Sequence, residues 1–208
     1  LYDVFELGND RVALAIADVS GKGVSASLLM AICQTHLRHF ARQIDSPAEI
    51  MRRLNREMTP EMRQDMFITL IFAVVDMRKD TLTFARAGHE LLLLVHGDPD
   101  NGHIHGEMVG AEGMAIGMAP SEIFDIAICD RTVPFRQGDT AVFYTDGVTE
   151  AADRSGTEYT GERLETLVCS LCGRSAREVN RNIVASVESF ASGGVLLDDL
   201  TLITARHT

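Results

Sequence analysis

The stretch ADVSGKGVSASLLMA, Ala17 to Ala31, decides the fold. An apolar strand ends in Asp18, a glycine turn carries Lys22, and an apolar helix begins behind it. If Gly21-Lys22-Gly23 holds a nucleotide, the chain is a parallel α/β protein. If Asp18 is the functional group, the glycines are merely its turn. A phosphate loop needs Gly, four residues, then Gly-Lys-Ser/Thr. Here Ile16 stands where the first glycine is required and Gly23 where the Ser/Thr is required. The G-x-G-x-x-G pattern fails as well, because Ala26 takes the place of its last glycine. The nucleotide reading falls, and Asp18 is left to explain.

Working outward, Val12, Leu14 and Ile16 alternate with alanines and predict a strand buried on both faces. Leu1 to Phe5 reads as the middle of another strand. Leu28, Leu29, Ile32, His36 and His39 recur at helical spacing from Val24 to about Arg42. Ser46-Pro47-Ala48-Glu49 is a capping box with proline at the first helical position, and predicts a helix carrying Ile50, Met51, Leu54 and Met58 inward. Phe67–Asp76 and Thr81–Ala87 form a hairpin, and Leu91–His96 a further strand after Gly88-His89. Gly97–Gly113 reads as loop, Ile123–Val133 and Thr140–Thr145 as strands. Helices are expected at Glu162–Cys172 and, behind the capping box Ser175 to Glu178, at Ala176–Ala191; Leu200–Ala205 closes the chain as a strand. Strands in hairpin order, with helices gathered after Asp18 and Asp146, predict an α+β fold of largely antiparallel sheet.

The chain has 208 residues, room for one domain, and its 46% apolar content is that of a globular protein. A net charge of −11 argues against a nucleic-acid backbone as partner and suits metal cations. No run approaches a transmembrane span and no signal peptide is visible, so a cytoplasmic domain is expected. The first residue is Leu1, and the chain is read as part of something longer. Cys169 and Cys172 form a C-x-x-C without a second pair at zinc spacing. With apolar flanks they read as buried small hydrophobes, against the alternative of a redox or metal pair.

Asp146 repeats the situation of Asp18 at the end of Phe143-Tyr144-Thr145, and Asp198-Asp199 stands directly before Leu200 to Ile203. Each acid alone would equally serve as a turn cap; three at the ends of three core strands point to convergence at one sheet edge. Converged carboxylates repel, and a cation offsets that cost. An all-oxygen donor set without Cys or His selects Mg²⁺ or Mn²⁺.

At these residues the chain resembles the metal-dependent protein serine/threonine phosphatases (PPM, or type 2C), in their bacterial SpoIIE-type branch. The matching stretches are Asp18 to Gly23, Met66 to Leu70, Ala87-Gly88-His89, Gly113 to Met118, Tyr144 to Ala151 and Asp198 to Thr201, in family order. The resemblance implies two packed, mainly antiparallel sheets flanked by helices. It implies that Asp18 bridges two Mn²⁺ or Mg²⁺ ions and that the Val19 carbonyl helps to bind one. Asp146 and Asp198 complete the other site, with Asp199 as substitute or supporting acid. Two such ions, about 4 Å apart, activate a water without a phosphoenzyme.

The family's Gly-Gly-Asp element would precede Leu1, and Asp3 is not the equivalent of its metal-binding acid. Ser20 stands where eukaryotic members place a candidate general-acid histidine. Lys22 reads as solvated, His89 as structural, and Met66, Met114 and Met118 as core beside the site. The implied substrate is a phosphorylated STAS-type regulatory protein of a partner-switching system. An upstream sensor or membrane module is implied too, and a homodimer is compatible. The alternatives are a PPM-fold interaction domain that has lost hydrolysis and a small-molecule phosphoesterase.

Overall fold

The structure is a computed structural model that describes residues 1–63, 65–98, 103–191 and 199–208. It consists of two compact units, one formed by Leu1–His89 and Gly110–Pro134, the other by Glu90–Val109 and Phe135–Thr208. Each is an antiparallel sheet with helices, so the α+β, antiparallel expectation holds.

The first unit contains β1 (Tyr2–Gly8), β2 (Arg11–Val19), α1 (Val24–Ala41), α2 (Pro47–Met58), β3 (Ile68–Asp76), β4 (Thr81–Ala87), α3 (Ser121–Ala127) and β7 (Arg131–Pro134). Its sheet runs β1-β2-β3-β4-β7. Ala13, Ala15 and Ala17 lie on one face of β2, beside Leu70, Phe72 and Val74 of β3, and α1 and α2 cover that face. The residues α1 buries there are Ala26, Leu29, Cys33, Leu37 and Ala41. The inward face is therefore rotated from the one predicted; Leu28 and Ile32 are exposed. Helical spacing alone cannot choose between adjacent stripes when alanine and cysteine count as much as leucine.

The helix α2 starts where expected, with Ser46 Oγ accepting from the Glu49 N–H, but only that half of the expected capping box is made: the Glu49 carboxylate pairs with Arg52 and Arg53. The opening strand is fixed to α1 by Asp3, buried in the first unit. Arg38 donates two hydrogen bonds of 2.6 Å to its carboxylate and Gln34 a third of 3.1 Å. Asp3 is thus a structural anchor of the opening strand.

The second unit contains β5 (Leu92–Asp98), β6 (His103–Val109), β8 (Thr140–Tyr144), α4 (Asp146–Thr149), α5 (Gly161–Ser170), α6 (Ala176–Phe190) and β9 (Leu202–Arg206). Its sheet runs β6-β5-β8-β9. Leu164 and Val168 of α5 and Val179, Ile183 and Val187 of α6 pack on Leu93, Val95, Val142 and Tyr144. The capping box at Ser175 is complete, both reciprocal hydrogen bonds being present.

Two sequence expectations are corrected. Much of the segment read as loop, Gly97–Gly113, is the strand β6, whose His, Gly and Glu residues are poor strand formers. Pairing with β5 from Leu92↔Val109 onward overrides that preference. The strand expected over Ile123–Val133 is instead α3, behind Pro120, followed by the four-residue β7. Only Phe124 of α3 is buried, which suits about two turns of helix better than a ladder.

The cysteines also differ from expectation. Cys33 is buried, but Cys169 and Cys172 are half-buried and Cys129 is exposed. The half-buried pair serves close packing: a methyl group on Gly97 of β5 would lie 2.1 Å from Cys172 Sγ, and one on Gly106 of β6 would lie 2.9 Å from Cys169 Sγ. The sulfurs fill room left by absent side chains.

Candidate functional site

Asp18 is the penultimate residue of β2, exposed although the five residues before it are buried. It pairs with Thr69 across the β2–β3 ladder. The helix that follows has Gly23 at its N-cap and no side-chain cap, so Asp18 does not serve as the cap of α1. Beyond it the Ser20 N–H donates to the Phe67 carbonyl at 2.9 Å, and Ser20 Oγ accepts from the Phe67 N–H at 2.8 Å. A trans peptide holds its C=O opposite its N–H. The Val19 carbonyl, sharing a peptide with Ser20, therefore points away from β3. The strand end offers one carboxylate and one backbone oxygen, both hard donors. Lys22 is exposed, as read from the sequence.

In the second unit Asp146 is the first residue of the one-turn helix α4, half-exposed behind a five-residue strand that is buried throughout. Thr145 occupies the N-cap, and no side chain caps the turn. The Asp146 carbonyl is engaged by the Glu150 N–H at 2.8 Å, and its carboxylate is not spent on the helix end.

Thr145 was not singled out by the sequence, yet it joins two of the predicted acids. It is 5% exposed; its hydroxyl donates to the Asp199 carbonyl at 3.2 Å and accepts from the Thr201 N–H at 3.1 Å. The Thr145 N–H also donates to the Thr201 carbonyl at 3.2 Å. The backbones at Asp146 and Asp199 are thereby brought together, with the exposed Asp199 side chain at the strand end. The signal available in advance was a threonine standing between a largely apolar strand and Asp146. Beside it, burial and the Glu90 carboxylate push the Tyr144 phenol up.

Asp198 lies outside the described residues. Among the described residues no three His, Cys, Asp or Glu side chains gather as a metal cluster. Asp18 belongs to the first unit, Asp146 and Asp199 to the second. What each unit presents is oxygen: strand-end carboxylates that cap no helix, and a carbonyl turned out of its ladder. That donor chemistry fits Mg²⁺ or Mn²⁺.

Of the other residues read from the sequence, His89 is buried, with Nδ1 3.0 Å from Thr69 Oγ1. Met66 and Met114 pack against the core as expected, whereas Met118 is 64% exposed and is no core residue. Gly117 turns the chain there with a positive φ, its N–H donating to buried Asn55 of α2, and leaves Met118 outside.

The family model of Stage II sporulation protein E (SpoIIE) matches residues 8–208. The phosphoserine phosphatase RsbU of Bacillus subtilis is 30% identical over 206 residues, covering 99% of this chain and 58% of that protein. The chain thus spans little more than half of that relative. The PP2C phosphatase domain of SpoIIE from Bacillus subtilis, solved with a fragment of its regulatory domain, superposes with a TM-score of 0.80 at 18% identity, over 99% of this chain and 57% of that one. RsbX in complex with magnesium superposes with a TM-score of 0.65 at 16% identity, over 98% and 84%. Among the described residues no helix is long and apolar enough to cross a membrane.

Proposed function

The chain belongs to the SpoIIE family, and from that premise we propose that it is a metal-dependent protein serine/threonine phosphatase, hydrolysing a phosphoserine or phosphothreonine ester on a regulatory protein. One observation carries this reading: Asp18 and Asp146 both close buried strands, and neither caps the helix that follows it. A carboxylate at a strand end suits a hard cation. The match to a phosphoserine phosphatase over nearly the whole chain supports phosphate ester hydrolysis as the chemistry of the site.

In this reading Asp18, the Val19 carbonyl, Asp146 and Asp198 hold two Mn²⁺ or Mg²⁺ ions, with Asp199 beside them. Such ions supply Lewis acidity, lowering the pKa of water and offsetting charge on the phosphoryl oxygens. The chain's own part is to place hard oxygens. Without a cation, the carboxylates would repel a phosphate dianion. In this reading Ser20 is given no acid role: its oxygen accepts from the Phe67 N–H, which shapes the turn. The finer proposal for the substrate is a phosphorylated STAS-type protein of a partner-switching system.

The test is hydrolysis of an aryl phosphate by this chain, titrated with Mn²⁺, beside Asp18→Asn and Asp146→Asn. Turnover that needs Mn²⁺ and disappears in both variants is expected. Turnover independent of added metal, or retained in both, would sink the reading. A phosphorylated STAS-type protein hydrolysed no faster than the aryl phosphate would instead favour a small-molecule phosphoesterase.

A further inference from the structure

His89 is a buried titratable residue, 5% exposed, that the proposed chemistry leaves unused. It follows β4 in the turn Ala87-Gly88-His89, which is fixed from several sides. Gly88 has φ +68°, and a side-chain carbon there would come within 2.9 Å of the Ala115 backbone nitrogen, so only glycine fits. Gly88 bridges to Leu70 of β3. Arg86 donates through Nη1 to the His89 carbonyl at 2.6 Å and through Nε to the Ala111 carbonyl at 3.1 Å. The imidazole is thereby delivered to one place on β3, with Nδ1 3.0 Å from Thr69 Oγ1.

Thr69 is the ladder partner of Asp18, and its hydroxyl lies 3.5 Å from the Asp18 carbonyl oxygen, the long end of hydrogen-bonding range. A threonine hydroxyl has one proton to give. If it donates to Nδ1, nothing is left for Asp18. If the ring carries its proton on Nδ1 and donates to Oγ1, the hydroxyl turns its own proton to the Asp18 carbonyl. Only the second arrangement uses all three groups. It ties the Asp18–Val19 peptide to the turn after β4, while the next peptide is already held by Phe67.

We propose that His89, acting through Thr69, is a positioning residue for the Asp18 end of β2. The proposal rests on the reading of Asp18 as a cation ligand. Groups that orient the ligands of a metal commonly contribute about 10- to 100-fold to its affinity.

Binding of Mn²⁺ to this chain, followed by the EPR signal of the free ion, tests this without reference to turnover. Thr69→Val keeps shape and removes the hydroxyl; Thr69→Ser keeps the hydroxyl. His89→Asn offers an amide N–H in place of Nδ1; His89→Leu offers none. Thr69→Val and His89→Leu should each weaken Mn²⁺ binding about tenfold, with Thr69→Ser and His89→Asn within about threefold of wild type. The double variant Thr69→Val/His89→Leu should be no weaker than either single one, because the two act in series. If Thr69→Val binds Mn²⁺ like wild type while Asp18→Asn does not, the positioning role is overturned and the Asp18 reading stands. Additive losses in the double variant would overturn the series arrangement. No Mn²⁺ binding by wild type would overturn both. Should His89→Leu fail to fold, the near-isosteric Thr69 pair decides alone.

Discussion

Replacing Thr145 by valine removes one hydroxyl from the junction between Asp146 and Asp199 and leaves the shape intact. Two hydrogen bonds are lost, the donation to the Asp199 carbonyl at 3.2 Å and the acceptance from the Thr201 N–H at 3.1 Å. Each is worth about 1 kcal/mol net, so the loss comes to about 2 kcal/mol. The backbone bond from Thr145 to Thr201 survives, which keeps the figure from rising further. For a chain of this size that is a fall in Tm of about 4–8 °C. Thr145→Ser is the control: it retains both bonds and gives up one methyl group, about 0.8 kcal/mol. Urea unfolding of the three proteins gives the ranking, and amide exchange at Thr201 gives the place. The expected order is wild type, Thr145→Ser, Thr145→Val, with faster exchange at Thr201 only in the valine variant. In the phosphatase reading, Thr145→Val also raises the Mn²⁺ concentration needed for turnover. Thr145→Val at least as stable as Thr145→Ser would refute the reasoning, since the hydroxyl would then carry nothing.

Gly97→Ala should destabilise the second unit, because the new methyl would lie 2.1 Å from Cys172 Sγ; adding Cys172→Ala should restore much of the loss, since the Cys172 Cβ is 3.8 Å away. Equal stability of the single and double variants in urea would contradict this close approach. The Arg38 guanidinium hydrogen-bonded to Asp3 holds that carboxyl below its ordinary value of 3.8. A depressed folded pKa means stabilisation fully present above the unfolded pKa and lost as pH falls through the folded one. Asp3→Asn should therefore be less stable than wild type at neutral pH, with the gap closing below about pH 4 in acid titrations of stability; a gap unchanged to pH 2 would contradict the linkage. Burial pushes the Cys33 thiol up to about 12 and raises Cys169 as well, whereas Cys129 is exposed. Iodoacetamide at neutral pH should thus modify Cys129 first and Cys33 only on unfolding, as read by peptide mass spectrometry.

Much of this protein was legible in its sequence. The strands β2, β3, β4 and β8 and the helices α2, α5 and α6 announce themselves through local terms: period-2 or period-3.6 apolarity, a capping serine, a proline at a helix start. The strand-end placement of Asp18 and Asp146 was equally local, because a carboxylate closing an apolar run conflicts with burial wherever the run folds. Local terms failed where a partner decided. β6 is a strand because β5 offers it a ladder, and the stripe that α1 buries, with Cys33 and Ala41 in it, is the one that shares a core with the alanines of β2. Spacing could not tell whether Asp146 caps the turn that follows it; the placement of Thr145 at the N-cap shows that it does not. The links from Thr145 to Asp199 and from His89 through Thr69 toward Asp18 join residues far apart in the chain. A hydrogen bond is set by direction and a few tenths of an ångström, and only the folded backbone supplies both.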